Sequence, residues 1–154
     1  MMVYNVELSV KENAEKLCEL IDTYLIDPMG GADARLTPLQ KVDLVEGLKT
    51  CSSSMVFFCQ NKSNIIAASV CFIGFSTFLC RPLINIHDLI VLPQYRRMGA
   101  GTALMLAIEE KAREINCCKI TLEVRSDNSV AKELYKKSGF TTGTAPAEFW
   151  IKYL

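Results

Sequence analysis

The chain of 154 residues has one histidine, one tryptophan and no Cys-x-x-Cys pair. Its single histidine, His87, lies far in sequence from the adjacent Cys117 and Cys118. That spacing argues against a zinc site, and no metal is expected. Formal net charge is zero. No broad electrostatic field therefore draws the protein to nucleic acid or a membrane, and any affinity for anions must be local. No uncharged apolar run approaches the roughly 18 residues of a membrane span. The opening "MMVYNVELSV" lacks a basic stretch followed by a long apolar core, so secretion is not expected either. There is no internal repeat, linker or low-complexity tract. One domain over residues 1–154 is the expectation.

What is present is a core. Half of the chain is apolar and 22% is charged, a balance that fills a globular interior. The seven cysteines are an odd number and cannot all pair within the chain. Most sit inside apolar runs, as small core residues do. This usage fits a reducing, cytoplasmic compartment.

The periodicities give an element order. Val3 to Val10 alternates as a strand. Ala14, Leu17, Cys18, Ile21, Tyr24 and Leu25 form a helical stripe that stops near Asp27 and Pro28. "DPMGGADARL" reads as a loop. Thr37 and Pro38 open a second helix, which carries Leu39, Val42, Val45 and Leu48 and ends near Thr50. "SMVFFCQ" and "IIAASVCFIGFSTF" are strands around the hairpin turn Asn61 to Asn64, and "PLINIHDLIVL" is the next strand. A helix to about Asn116, the strand "KITLEVR", the helix "NSVAKELYKKSG" and a closing strand "AEFWIKYL" follow, with room for one more strand at Phe140 to Gly143. The class is α/β, or mixed α+β. Ile84 to Val124 is one strand-helix-strand crossover, which pairs its strands in parallel.

Inside that crossover stands "YRRMGAGTAL". It has no Lys-Ser or Lys-Thr after the glycines, so it is not a P-loop. A dinucleotide fingerprint fits better, with Glu123 about 20 residues on. However, its third glycine position is Leu104, and too few β-α units remain. An anion site survives both exclusions. Glycine lets backbone approach a ligand closely, and the first amides of a helix present unpaired donors and positive potential. A pyrophosphate fits there, with Arg96 and Arg97 adding charge.

The second informative block is "LEVRSDNSVAKELYKKSGF". Alone, it is an amphipathic helix with Asn128 as its cap and Tyr135 on the inward side. Together the two blocks resemble the Gcn5-related N-acetyltransferase superfamily in its compact bacterial form. The family motif R/Q-x-x-G-x-G/A corresponds to Arg96, Arg97, Met98, Gly99, Ala100 and Gly101, with Thr102 next on the helix. The motif N-x-x-A-x-x-L-Y-x-x-x-G-F corresponds to Asn128, Ala131, Leu134, Tyr135, Gly139 and Phe140. The specific match covers about Asn85 to Phe140.

The resemblance implies a twisted, mostly antiparallel sheet with about four helices and one parallel pair of strands that splay apart. Coenzyme A pyrophosphate would lie on the glycine turn. The pantetheine arm would pair with backbone at Leu89, Ile90 and Val91, and the thioester would lie near Tyr135. Acetyl-CoA is then the co-substrate, and a primary amine of a small molecule or a protein N-terminus the acceptor. A non-catalytic acyl-CoA-binding domain is the alternative. Tyr135 would protonate the leaving thiolate, since a phenol with a pKa of about 10 is protonated at neutral pH. The resemblance ranks Glu123 first as general base and Asp88 second. His87 is third, for its unperturbed pKa of about 6.5. As strand neighbours, His87 and Asp88 are expected to face opposite ways. The thioester carbonyl would be polarised by the N–H of Ile90 or a neighbour. Asp27 and Asp33 are candidates for attracting an ammonium, and Met29, Leu36 and Phe75 for an apolar wall. The apolar closing strand needs covering, by a homodimer partner or within the chain.

Overall fold

The computed structural model describes residues 1–30, 33–143 and 150–154. Five strands form one sheet in the order β1 (Met2–Asn5), β2 (Ser54–Asn61), β3 (Asn64–Ser76), β4 (Arg81–Val91), β5 (Ile120–Leu122). Neighbours are antiparallel until the last pair, β4 and β5, which is parallel as the crossover requires. Helices α1 (Lys11–Leu25) and α2 (Pro38–Thr50) precede β2. Helix α3 (Ala100–Glu114) joins β4 to β5, and α4 (Ser129–Lys137) follows.

Both faces of the sheet are covered, which explains the near-continuous apolar runs of β2 and β3. On one face Met55, Phe57 and Cys59 of β2 and Ile84 and Ile86 of β4 pack on Leu104, Met105 and Ile108 of α3. On the other, Val56, Phe58, Val70 and Ile90 pack on Leu17 and Leu20 of α1 and Leu48 of α2. Cys18, Cys59 and Cys71 are buried as small apolar residues.

Several expected elements differ. β1 ends at Asn5, although Val6 and Leu8 are buried. Val6 N–H still bonds the Val56 carbonyl at 2.8 Å, but the chain then turns at Leu8 to start α1, so the alternation outlasts the strand. The Thr37 cap is present as a full capping box: Thr37 Oγ1 accepts from Gln40 N–H at 3.3 Å, and Gln40 Oε1 accepts from Thr37 N–H at 2.9 Å. The α2 stripe is not the one read from spacing. Leu48 is buried, but Leu39 and Val42 are 78% and 59% exposed. Of the expected closing strand, Ala147 to Phe149 lie outside the described residues, and Trp150 to Leu154 form no strand. Phe140 to Gly143 form none either.

Candidate active site

The glycine turn is built from two left-handed residues. After the 3-10 turn Pro93–Tyr95, Arg97 has φ 62° and Gly99 φ 89°, and α3 begins at Ala100. Gly99 is the N-cap residue and offers no side chain to the first amides of α3. Those donors stay available for an anion. Gly101 serves packing: a Cβ there would lie 2.9 Å from Leu134 Cδ2 of α4. Arg97 is exposed and makes no hydrogen bond or ion pair among the described residues. Arg96 is differently engaged. Its Nε donates to the Val91 carbonyl at 3.2 Å, and its terminal nitrogen meets Asp27 Oδ2 at 2.6 Å.

β4 and β5 pair only over Ile84–Ile120, Asn85–Thr121 and Ile86–Leu122. Immediately beyond, β4 is irregular. Cys71 faces Ile86 and Val70 faces Asp88, so His87 is an extra residue, a β-bulge. The bulge shifts the pleat by one. Before it, Ile84 and Ile86 face α3; after it, Leu89 and Val91 do, while Ile90 and Leu92 face α1 and α2. The expected strict alternation of His87 and Asp88 therefore fails, because alternation assumes a regular strand. The His87 ring instead stacks edge-on against Phe72, with centroids 5.7 Å apart.

The same shift turns the backbone. Leu92 N–H donates to the Ile66 carbonyl, which marks a hydrogen-bonded pair of the β3–β4 ladder. Two residues back, Ile90 opposite Ala68 is another such pair, so its N–H is directed to β3. The polar groups of Leu89 and Val91 point away from β3, toward the side that β5 vacates. Of the expected carbonyl donors, Ile90 is thus committed to the sheet, and its neighbour Leu89 is the one facing the opening.

Where the strands part lies a cavity of 1230 Å³. It is lined by the glycine turn with Thr102, by Leu89 and Val91, and by Glu123, Asn128 and Tyr135. Ile90, Met98 and Asp88 do not line it, and neither do Asp33, Leu36 or Phe75. Phe75 is 64% exposed, far along the β3–β4 hairpin. The residue missed from sequence is Tyr24, read only as part of the α1 stripe. It lines the cavity beside Asp27 and Met29. Its place in the last turn before the "DPMGG" loop was the available signal.

The titratable groups divide by environment. Burial, and then Tyr24, push the Tyr135 phenol up to about 12. Burial raises the Asp88 carboxyl, and His87 opposes this. Burial also raises the Tyr24 phenol, reinforced by Asp88 and Asp27. Glu123 is exposed. It does not pair with Arg125, which binds Asp127 through two contacts of 3.0 and 2.8 Å. Asn128 caps α4, accepting from Ala131 N–H at 3.1 Å.

The model of the "Acetyltransferase (GNAT) family" matches residues 20–140. An N-alpha-acetyltransferase of Sulfurisphaera tokodaii is 43% identical over 72 residues, covering 44% of this chain and 43% of that one. Across the curated relatives matched, the chain spans 40% to 61% of their length. Among solved structures, a probable acetyltransferase superposes with TM-score 0.85 at 17% identity, covering 100% of this chain and 99% of that one. The aminoglycoside N-acetyltransferase AAC(6')-Iy in complex with CoA gives TM-score 0.75 at 15% identity, covering 99% and 95%. The structural likenesses show the fold alone. The family match, however, contains the bulged strand, the glycine turn and the Tyr135 helix in a single stretch, and by it the chain belongs to the acetyltransferase (GNAT) family.

Proposed function

We propose that the protein transfers an acetyl group from acetyl-CoA to a primary amine. The observation that carries this reading is the short β4–β5 pairing beside a cavity lined by the glycine turn, by Leu89 and Val91 of β4 and by Tyr135. Three features fit the cofactor. The turn offers uncapped helix amides and the free cation Arg97 to a pyrophosphate. The outward backbone of Leu89 and Val91 offers strand-like pairing to the pantetheine amides. The cavity volume suits an extended ligand.

Acetyl-CoA supplies an activated acyl carbon on a thiol leaving group. The protein must hold the amine neutral and close, polarise the carbonyl and protonate the departing sulfur. Leu89 N–H, directed away from β3, is the proposed donor to the carbonyl. The buried Tyr135 phenol stays protonated and donates to the thiolate. The amine proton goes to a carboxylate. Asp88 is favoured over Glu123 for this role, because burial raises its affinity for protons while Glu123 is exposed; since Glu123 and not Asp88 lines the cavity, the proton reaches Asp88 through an intervening water. The nitrogen–carbon bond forms as the carbon–sulfur bond breaks.

The N-alpha-acetyltransferase and aminoglycoside relatives suggest two acceptor classes, peptide α-amines and amino sugars. The test is calorimetric titration with acetyl-CoA against an NAD control, followed by thiol release with both classes. Acetyl-CoA binding that is lost in Gly99→Val, plus turnover of one class, is the expected result. Binding without turnover of any amine would favour a non-catalytic acyl-CoA-binding domain. Binding of NAD alone would sink the reading.

A further inference from the structure

The two arginines of "YRRMG" do different things. Among the described residues Arg97 is unengaged, but Arg96 is held on both sides. Its Nε bonds the Val91 carbonyl at the end of β4, and its other arm reaches Asp27, 69 positions away. Asp27 is likewise engaged through both oxygens. Its Oδ2 takes Arg96, and its Oδ1 accepts from the Met29 N–H at 3.0 Å. Its side chain is only 9% exposed. Burial pushes its carboxyl up, but Met29 and Arg96 outweigh that and hold it below the usual value.

The loop after α1 is folded tightly around this carboxylate. Asp27 N–H bonds the Tyr24 carbonyl at 3.0 Å, and Gly30 N–H bonds the Asp27 carbonyl at 2.8 Å. A Cβ on Gly30 would sit 1.9 Å from the Tyr24 carbonyl oxygen, so the turn closes directly on the last turn of α1. Tyr24, Asp27 and Met29 line the same cavity as Arg96 and Arg97.

We infer that Arg96 is a positioning residue for the amine side of the cavity. It clasps the Tyr24 to Gly30 turn to the end of β4 through Asp27, and Arg97 is left as the cation for the pyrophosphate. This rests on the proposed acetyl transfer. Asp27, sequestered by the clasp, does not attract the amine itself. Its removal acts by releasing Tyr24 and Met29. The clasp also ties the strand whose backbone faces the pantetheine arm to the loop that faces the amine.

The experiment compares Arg96→Gln, Arg97→Gln, Asp27→Asn and the Arg96→Gln/Asp27→Asn double variant. Acetyl-CoA affinity is read by calorimetry and the Met29 and Gly30 amides by hydrogen exchange. Amine KM and kcat are read with whichever of a free-α-amine peptide and an aminoglycoside turns over. Arg96→Gln should leave acetyl-CoA Kd within about twofold, speed Met29 and Gly30 exchange about tenfold and raise amine KM about tenfold with kcat little changed. Asp27→Asn should match it, and the double variant should be no worse than either single. Arg97→Gln should weaken acetyl-CoA and leave the loop amides alone. Arg96→Lys, which can still reach Asp27, should recover most of the amide protection. The inference is overturned if Arg96→Gln weakens acetyl-CoA as Arg97→Gln does while the loop amides stay protected. It is also overturned if the two single effects on amine KM simply multiply. A wild-type protein that bound no acetyl-CoA would instead overturn the proposed function, and hydrogen exchange would still judge the clasp.

Discussion

Two aspartates show how differently this fold treats buried charge. Asp22, on α1, is 4% exposed and fully partnered: Lys41 Nζ lies 2.6 Å from Oδ2, and Leu36 N–H donates to Oδ1 at 2.8 Å. Burial raises its carboxyl, but Lys41 and the Leu36 N–H outweigh this and leave it below the ordinary value. Asp88, one residue past the β4 bulge, has no hydrogen bond to its carboxylate among the described residues. Burial wins there, and the carboxyl is raised. The first is a fastener between α1, α2 and the loop between them. The second is a group the fold leaves ready to take a proton. Tyr135 belongs with Asp88, since its hydroxyl also makes no hydrogen bond among the described residues. The difference teaches that polar groups with satisfied partners fasten structure, whereas Asp88 and Tyr135, half-buried and without such partners, keep contact with solvent near the opening between β4 and β5.

The sharpest way to break this division is Tyr135→Phe. It removes a proton donor but no hydrogen bond among the described residues. The expectation is a fall in kcat of about a hundredfold or more with Tm within a degree or two. Acetyl-CoA Kd should be nearly unchanged. Stopped-turnover thiol release and a thermal melt check both. A large loss of Tm with intact kcat would place Tyr135 among the structural groups.

Asp88→Asn comes next, with an expected loss of roughly ten- to a hundredfold in kcat/KM. Its folded pKa is raised, so the base loses its proton at a higher pH than an unperturbed aspartate. The acid limb of the pH–rate profile should therefore lie higher than for an unperturbed aspartate, and vanish in Asp88→Asn. Stability has the opposite sign. A group with a raised folded pKa stabilises the fold while protonated, and that contribution is lost as pH rises through the folded value. At neutral pH the carboxylate is a net cost, so Asp88→Asn should melt higher than wild type. Asp22→Asn should do the reverse, losing about 2 kcal/mol at neutral pH and leaving kcat unchanged. Its lowered folded pKa means the stabilisation is present above the unfolded value and fades as pH falls through the folded one. Melting curves of the two variants from neutral pH to about pH 3 should therefore bracket the wild type and converge at the acid end.

The comparison also explains what could be read before any coordinates. The glycine turn was legible because it is local: Gly99 needs its left-handed backbone, and the helix follows at once. The Thr37 cap with Pro38 and the parallel crossover were legible for the same reason, short range or topology. The Asp88 environment was not. It depends on the bulge at His87, which no residue type announces and which reverses the side of every residue after it. Nor was the Arg96–Asp27 bridge, which joins two loops through the fold. Leu39 and Val42 matched a helical stripe, but the helix turns them outward because Leu44 and Leu48 meet α1 and the sheet instead.

The smallest expected effect is at Glu123, and it decides between the two carboxylates. Glu123 follows β5 directly, lines the cavity and is exposed. Asp88 is the carboxylate whose affinity for protons burial raises, which brings it nearer the optimum for a base. Glu123→Gln should therefore change kcat/KM by no more than about threefold and leave the acid limb where it is in wild type. The same profile measured on Asp88→Asn supplies the contrast. If instead the limb survives in Asp88→Asn and disappears in Glu123→Gln, then solvent access matters more than burial here. The proton would leave along the exposed end of β5, and Asp88 would join Asp22 as a structural carboxylate.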